Sequence, residues 1–170
     1  MEVKNRIVMS PMGNLYVDEA GFITQRAIDY YAERARGGAG LIVSGANNIL
    51  REAETRHLAA LYDDKFIPKF KELSRAVHEY GARMSLQLHH GGITLLAEKL
   101  RRADGGEGID AIGPSAVPSA RYGIPQREAT KEDIRRVIQA FAEAARRVKA
   151  AGFDAVSIHG GHGYLINTFF

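Results

Sequence analysis

Val156-Ser-Ile-His-Gly-Gly-His-Gly-Tyr164 is the stretch that decides how this chain is read. An apolar β-branched run, preceded by Phe153-Asp-Ala, has the length of a buried strand and ends on His159, His162 and Tyr164 among glycines. Imidazole and phenol groups gathered at the end of a strand describe a site more readily than a core. The question is then what other strands lie beside this one.

Working back towards the N-terminus, short apolar runs alternate with amphipathic helices. Arg6-Ile-Val-Met-Ser10, Leu41-Ile-Val-Ser44, Met84-Ser-Leu-Gln-Leu88 and Phe153-Asp-Ala-Val-Ser-Ile158 read as strands. Between them, Thr24 can cap a helix with Ile28, Tyr31 and Ala35 on one face, closed by Gly37-Gly38. Asp63-Asp64 starts a second helix carrying Phe66, Ile67, Phe70, Leu73 and Val77 at helical spacing, and Gly81 stops it. After a long Gly/Pro/Ala-rich connection, Thr130 caps a third helix with Ile134, Val137, Ile138, Phe141, Ala145 and Val148, ended by Gly152.

Strands separated by helices imply a parallel α/β sheet with right-handed crossovers. A doubly wound sheet normally carries a glycine-rich phosphate turn after its first strand, whereas Pro11-Met-Gly-Asn-Leu15 contains no G-x-G-x-x-G. A TIM (β/α)8 barrel instead places chemistry at the C-terminal ends of several strands, and these strands end on Ser10, Ser44-Gly45, Gln87 with His89-His90, and His159. The barrel fits better. A complete one takes about 250 residues and eight β units, so the expectation for residues 1–170 is its N-terminal half: one partial barrel domain of four parallel strands with three helices visible.

Composition narrows the class further. The chain has 170 residues, 45% hydrophobic and 25% charged, enough for a substantial core. Cysteine is absent, which excludes disulfides, cysteine nucleophiles and thiolate metal sites here and suits a cytoplasmic location. No apolar run is long enough to span a bilayer. The formal charge is +3, and pairs such as Arg135-Arg136 and Arg146-Arg147 fall on helices as solvated faces, so neither nucleic acid nor membrane is the expected partner. His57 and His78 read as surface loop and helix residues.

Taken alone, a strand-end His-x-x-His could be a pair of packed histidines or a zinc pair. A hydrolytic zinc barrel would want carboxylates on neighbouring strand ends, where this sequence offers Ser10, Ser44 and Gln87, so no metal site is expected. His89 and His90 are consecutive on an extended strand, and at most one of them can face the site.

Several motifs, in order, carry a resemblance to a known family. Lys4-Asn-Arg-Ile-Val-Met-Ser-Pro-Met12, Tyr30-Tyr-Ala-Glu-Arg-Ala35, Gly37-Gly-Ala-Gly-Leu-Ile42, Leu86-Gln-Leu-His-His-Gly-Gly92, Gly113-Pro-Ser-Ala116, Ala151-Gly-Phe-Asp154 and His159-Gly-Gly-His-Gly-Tyr-Leu-Ile-Asn167 resemble the Old Yellow Enzyme family. Its members are FMN-dependent NAD(P)H oxidoreductases on a TIM barrel. Asp18, Gly21, Thr24 and Ile28-Asp-Tyr-Tyr31 resemble its 2,4-dienoyl-CoA reductase and trimethylamine dehydrogenase branch.

The resemblance implies an ene-reductase chemistry: hydride passes from NAD(P)H through the flavin to an activated alkene, such as an α,β-unsaturated carbonyl or an enoyl or dienoyl thioester. His159 and His162 correspond to donors that bind the substrate oxygen, and Tyr164 to the proton donor. Gln87 corresponds to a glutamine on the pyrimidine edge of the flavin, and Pro11, Met12, Gly13 and Ala46 to its floor. His90 matches a recurrent family histidine without a catalytic role. Relatives often carry Cys or Thr where Gly13 stands, Arg where Ile93 stands and Gln where Thr168 stands.

The family's FMN phosphate site lies in the last two β units, which this sequence lacks, so the chain alone is expected to bind FMN weakly. An iron-sulfur cluster and FAD in a C-terminal region are what the dienoyl-CoA reductase branch adds. The expected partners are a small activated alkene and either the missing half-barrel or a second copy, because open strand edges favour pairing. The alternative from another class is a non-catalytic fragment that forms a half-barrel dimer or binding module without flavin.

Overall fold

The computed structural model describes residues 1–55, 57–92, 111–118 and 126–170; Ile93 and most of the Gly/Pro/Ala-rich connection lie outside the described residues. The described elements run β1 (Val8–Met9), α1 (Gln25–Arg36), β2 (Leu41–Asn48), β3 (Ala59–Ala60), α2 (Ile67–His78), β4 (Arg83–His89), β5 (Ile112–Gly113), β6 (Arg127–Glu128), α3 (Lys131–Ala150) and β7 (Ala155–Ile158). The main sheet has the order β1-β2-β4-β7, every pairing parallel, with β3 added beside the end of β2. A separate parallel pair joins β5 to β6.

The sequence places the strands correctly and misjudges their lengths. β1 is only Val8–Met9, shorter than Arg6–Ser10, while β2 continues through Gly45 to Asn48. It continues because its register shifts between Val43 and Ala46, a bulge that lets the strand resume pairing with β4.

β4 is the centre of the sheet and is buried on both faces. Met84, Leu86 and Leu88 enter the main core with Phe66, Phe70, Leu73 and Val77 of the α2 segment and Ala144 and Val148 of α3. The alternate residues Ser85, Gln87 and His89 are also buried, but polar. Strands of parallel sheets covered on both faces usually read as continuous apolar runs. A polar second face therefore marks the interior side on which a site can be built.

Each helix begins and ends for a local reason. Thr24 sits extended at the N-cap of α1 but, contrary to the capping expectation, its hydroxyl donates to the Tyr16 carbonyl (2.8 Å) instead of accepting from the helix. Asp63 accepts from the Lys65 N–H and starts a 3-10 turn, Asp64–Phe66, that leads into α2. Thr130 and Asp133 form a reciprocal capping box on α3. Gly81 and Gly152 take positive φ (68° and 82°) just past α2 and α3, where a Cβ would be strained.

Two readings need correction. α3 turns Val137, Ala140, Ala144 and Val148 inward, whereas Ile134 and Ile138 are exposed and, with Phe141, Leu165 and Phe169, line an apolar groove of about 230 Å³. His78 is more than a surface residue: its Nε2 lies 2.8 Å from Asp154 Oδ2, which also accepts the Met84 N–H (2.8 Å), while Oδ1 pairs with Arg83 (3.0 Å). Burial raises the Asp154 pKa, but the Met84 N–H, His78 and Arg83 outweigh it and leave the carboxyl below its usual value. This cluster ties β4, β7 and α2 together at the N-terminal ends of the strands, the end that barrels reserve for stability.

Candidate active site

Pro11 and His159 follow β1 and β7, while Ala46 and Gln87 lie near the C-terminal ends of β2 and β4, all at the same end of the sheet. Ala46 is in register with Gln87, and Gln87 with Ser157, two residues before His159. The His159 N–H donates to the Leu88 carbonyl (3.0 Å), which carries the ladder one step past β7. From β1, the chain brings the Met12 carbonyl over Gly45, where a Cβ would lie 2.6 Å from it. Gly45 is thus required to let the Pro11–Gly13 segment cross the bulge.

A hydroxyl holds that bulge open. Ser44, 3% exposed, accepts the Gln87 N–H and the Asn47 amide (both 3.1 Å) and donates to the Gly45 carbonyl (2.8 Å). Asn47 adds bonds to the Gly45 and Gln87 carbonyls. The Gly45 N–H goes to the Tyr31 hydroxyl (2.9 Å); burial is the main reason that the Tyr31 pKa is raised. The N–H and carbonyl of Gly45 and of Gln87 at the bulge are thus each met by a side chain.

What the network leaves free is the Gln87 carboxamide. Gln87 is 8% exposed, and among the described residues its amide has no hydrogen-bond partner. A nearly buried amide with both donor and acceptor unspent fits a ligand edge that presents both. Beside it, a Cβ on Gly13 would meet nothing within 4 Å, so the floor is open there. These observations match what the pyrimidine edge of a flavin requires.

His159, His162 and Tyr164 form one cluster. The Gly161 N–H donates to His159 Nδ1 (3.4 Å), which leaves the proton on Nε2, facing His162 Nδ1 at 3.4 Å. The two nitrogens expected to hold one substrate oxygen thus face each other and share a proton. Burial, and then His162, lower the His159 pKa, which favours a neutral donor. His162 is held at φ 62°, a left-handed conformation that histidine tolerates better than most residues. The Asn167 side chain accepts the Gly163 N–H (2.8 Å) and closes this turn. Tyr164 lies 4.8 Å from His159, ring centre to ring centre.

The residue that sequence reasoning missed is His89. It shares the interior face with Gln87, its i+2 relation being the available signal, and its ring meets Tyr164 at 4.3 Å and His159 at 5.5 Å. Burial is the main reason that its pKa falls to about 3. His90 points the other way, and its Nδ1 accepts the Gly92 N–H (3.1 Å). Among the described residues, no cluster of three His, Cys, Asp or Glu side chains is placed to hold a metal ion.

The NADH:flavin oxidoreductase / NADH oxidase family model matches residues 1–170. The chain belongs to this family. An NADH oxidase of Thermoanaerobacter brockii is 42% identical over 172 residues, covering 98% of this chain and 25% of that protein. An NADPH dehydrogenase of a Geobacillus species is 39% identical, covering 98% of this chain and 47% of its own length. Among solved structures, the Zymomonas mobilis old yellow enzyme homologue superposes with a TM-score of 0.81 at 28% identity, over 97% of this chain and 47% of that one. A 2-naphthoyl-CoA reductase with 2-naphthoyl-CoA gives 0.86 at 32%, over 97% and 26%. The chain spans between about a quarter and about half the length of these family members, and its parallel sheet with three helices is the corresponding half of the Old Yellow Enzyme barrel. No described helix is long and apolar enough to cross a membrane.

Proposed function

We propose that this chain supplies the substrate-binding face and part of the flavin floor of an NAD(P)H-dependent ene reductase. The observation that carries this reading is the unspent Gln87 amide at the same strand ends as the His159, His162 and Tyr164 cluster. FMN would be held by Gln87, Ala46 and the Pro11–Gly13 segment; when bound, it accepts hydride from NAD(P)H and returns it to the alkene. Everything else is work for this chain's own side chains.

Hydride arriving at the β-carbon of an enone pushes charge onto the carbonyl oxygen. Imidazole N–H groups fixed beside that oxygen donate most strongly when the charge has developed, so they favour the transition state over bound substrate. Tyr164 then gives its phenolic proton to the α-carbon, because a phenol is acidic enough to protonate an enolate carbon.

The substrate class is an activated alkene conjugated to a carbonyl or thioester. The reading of the 2,4-dienoyl-CoA reductase branch rests on the Asp18, Gly21, Thr24 and Ile28–Tyr31 segment, since the longer Thermoanaerobacter NADH oxidase and the half-length Geobacillus NADPH dehydrogenase match at 42% and 39%. In that branch an iron-sulfur cluster and FAD would lie beyond these residues.

The test is to purify the protein that carries this chain and mix it anaerobically with NADH or NADPH, then with 2-cyclohexenone. Flavin bleaching by the nicotinamide and its recovery with the enone are expected. Purification without flavin would instead support the non-catalytic half-barrel.

A further inference from the structure

We propose that His89 is a positioning residue for the Tyr164 proton donor, a buried post that fixes the phenol against the substrate face. This rests on the reading of Tyr164 given above. His89 is 1% exposed and stands edge-on to Tyr164, with ring centres 4.3 Å apart and planes at 88°. It also meets His159 at 5.5 Å, so it packs beneath both members of the site.

The post is itself anchored. His89 Nε2 lies 3.1 Å from the Thr55 hydroxyl. Thr55 in turn is held by Asn48, which accepts its N–H (2.9 Å) and donates to its carbonyl (3.0 Å). A hydrogen-bonded chain therefore runs from the end of β2 to the end of β4 and stops at the ring that touches Tyr164.

Packing alone does not account for a histidine here. His89 Nδ1 is buried and has no hydrogen-bond partner among the described residues, an expense that leucine or phenylalanine would avoid. Imidazole supplies what those residues lack together: a polar edge for Thr55 and a flat ring for Tyr164. Burial, followed by His159 and His90, keeps its pKa at about 3, so the post stays uncharged at neutral pH and does not repel the clamp when charge builds nearby.

The experiment compares H89L, H89F, Y164F and the H89L/Y164F double variant in the flavin-loaded protein, reading the two half-reactions by stopped flow. Reduction by NAD(P)H should be unchanged in H89L and H89F. Reoxidation by 2-cyclohexenone should slow about tenfold in H89L and stay within about threefold of wild type in H89F, which keeps a ring. The double variant should be no slower than Y164F, because a post has no effect once its proton donor is gone. In addition, H89L should shift the Tyr164 ring resonances in proton NMR, a readout independent of turnover.

If H89L and Y164F effects multiply, or H89F falls as far as H89L, or the Tyr164 resonances stay in place, His89 does not position Tyr164. If instead Y164F reoxidises at the wild-type rate, the proton-donor reading falls, and this inference falls with it.

Discussion

Replacing Ser44 with alanine removes one hydroxyl and tests how the bulge in β2 is built. The hydroxyl makes three bonds at 3% exposure: it accepts from the Gln87 N–H and the Asn47 amide and donates to the Gly45 carbonyl. Asn47 keeps its bonds to the Gly45 and Gln87 carbonyls, and Gly45 keeps the Asn47 amide. The Gln87 N–H has no substitute, and stranding a buried donor costs about 1–3 kcal/mol. Adding a partial loss at Asn47 gives about 2–4 kcal/mol, a large share of the roughly 5–15 kcal/mol by which domains are stable. Urea unfolding followed by circular dichroism measures it as a lower midpoint at constant slope. A loss below about 0.5 kcal/mol would refute the claim that Ser44 replaces the ladder at the bulge.

Acid should destabilise the chain well before its carboxylates titrate. His89 and His90 are drawn down to about 3 and about 4, chiefly by burial, so below their unfolded pKa of about 6.5 the unfolded chain binds protons that the folded chain refuses. Stability should be full above about pH 6.5 and fall towards pH 4, by on the order of 3 kcal/mol for each group; urea midpoints that stay flat from pH 7 to 4.5 would contradict this. Gly92→Ala should cost about 2–4 kcal/mol, because Gly92 sits at φ 57° and a Cβ would lie 2.8 Å from the Leu165 backbone. Urea unfolding reads that cost, and an unchanged midpoint would mean that the β4 end and the Tyr164–Leu165 turn are not in close contact.

Much of this was legible in the sequence because the information was local. Polar residues ending apolar runs pointed to one end of the sheet, and Gln87 and His159 do lie together there. Thr130 announced its helix through a capping box with Asp133. What escaped was set by contacts between distant segments. Helical periodicity marks Ile134 and Ile138 as apolar but cannot tell whether anything covers them, and they are exposed. The bulge in β2 depends on Tyr31 and Gln87, 14 and 43 residues from their partners, so β2 looked shorter than it is. His89 is anchored by Thr55, 34 residues away, and only the i+2 step from Gln87 hinted at its face. Thr24 had the right residue type at the right place, yet Tyr16 captured its hydroxyl.

The central claim is that His159 and His162 hold the oxygen on which charge develops, and one measurement addresses it directly. In the flavin-loaded protein, the His159→Ala/His162→Ala variant is followed through both half-reactions by stopped-flow absorbance. Reduction by NAD(P)H should proceed as in wild type, since it creates no charge on a substrate oxygen. Reoxidation by an enone should slow by at least about 10²–10³, the usual cost of losing a preorganised donor. Reoxidation at the wild-type rate would contradict the account, because the paired histidines would then not be the oxygen clamp.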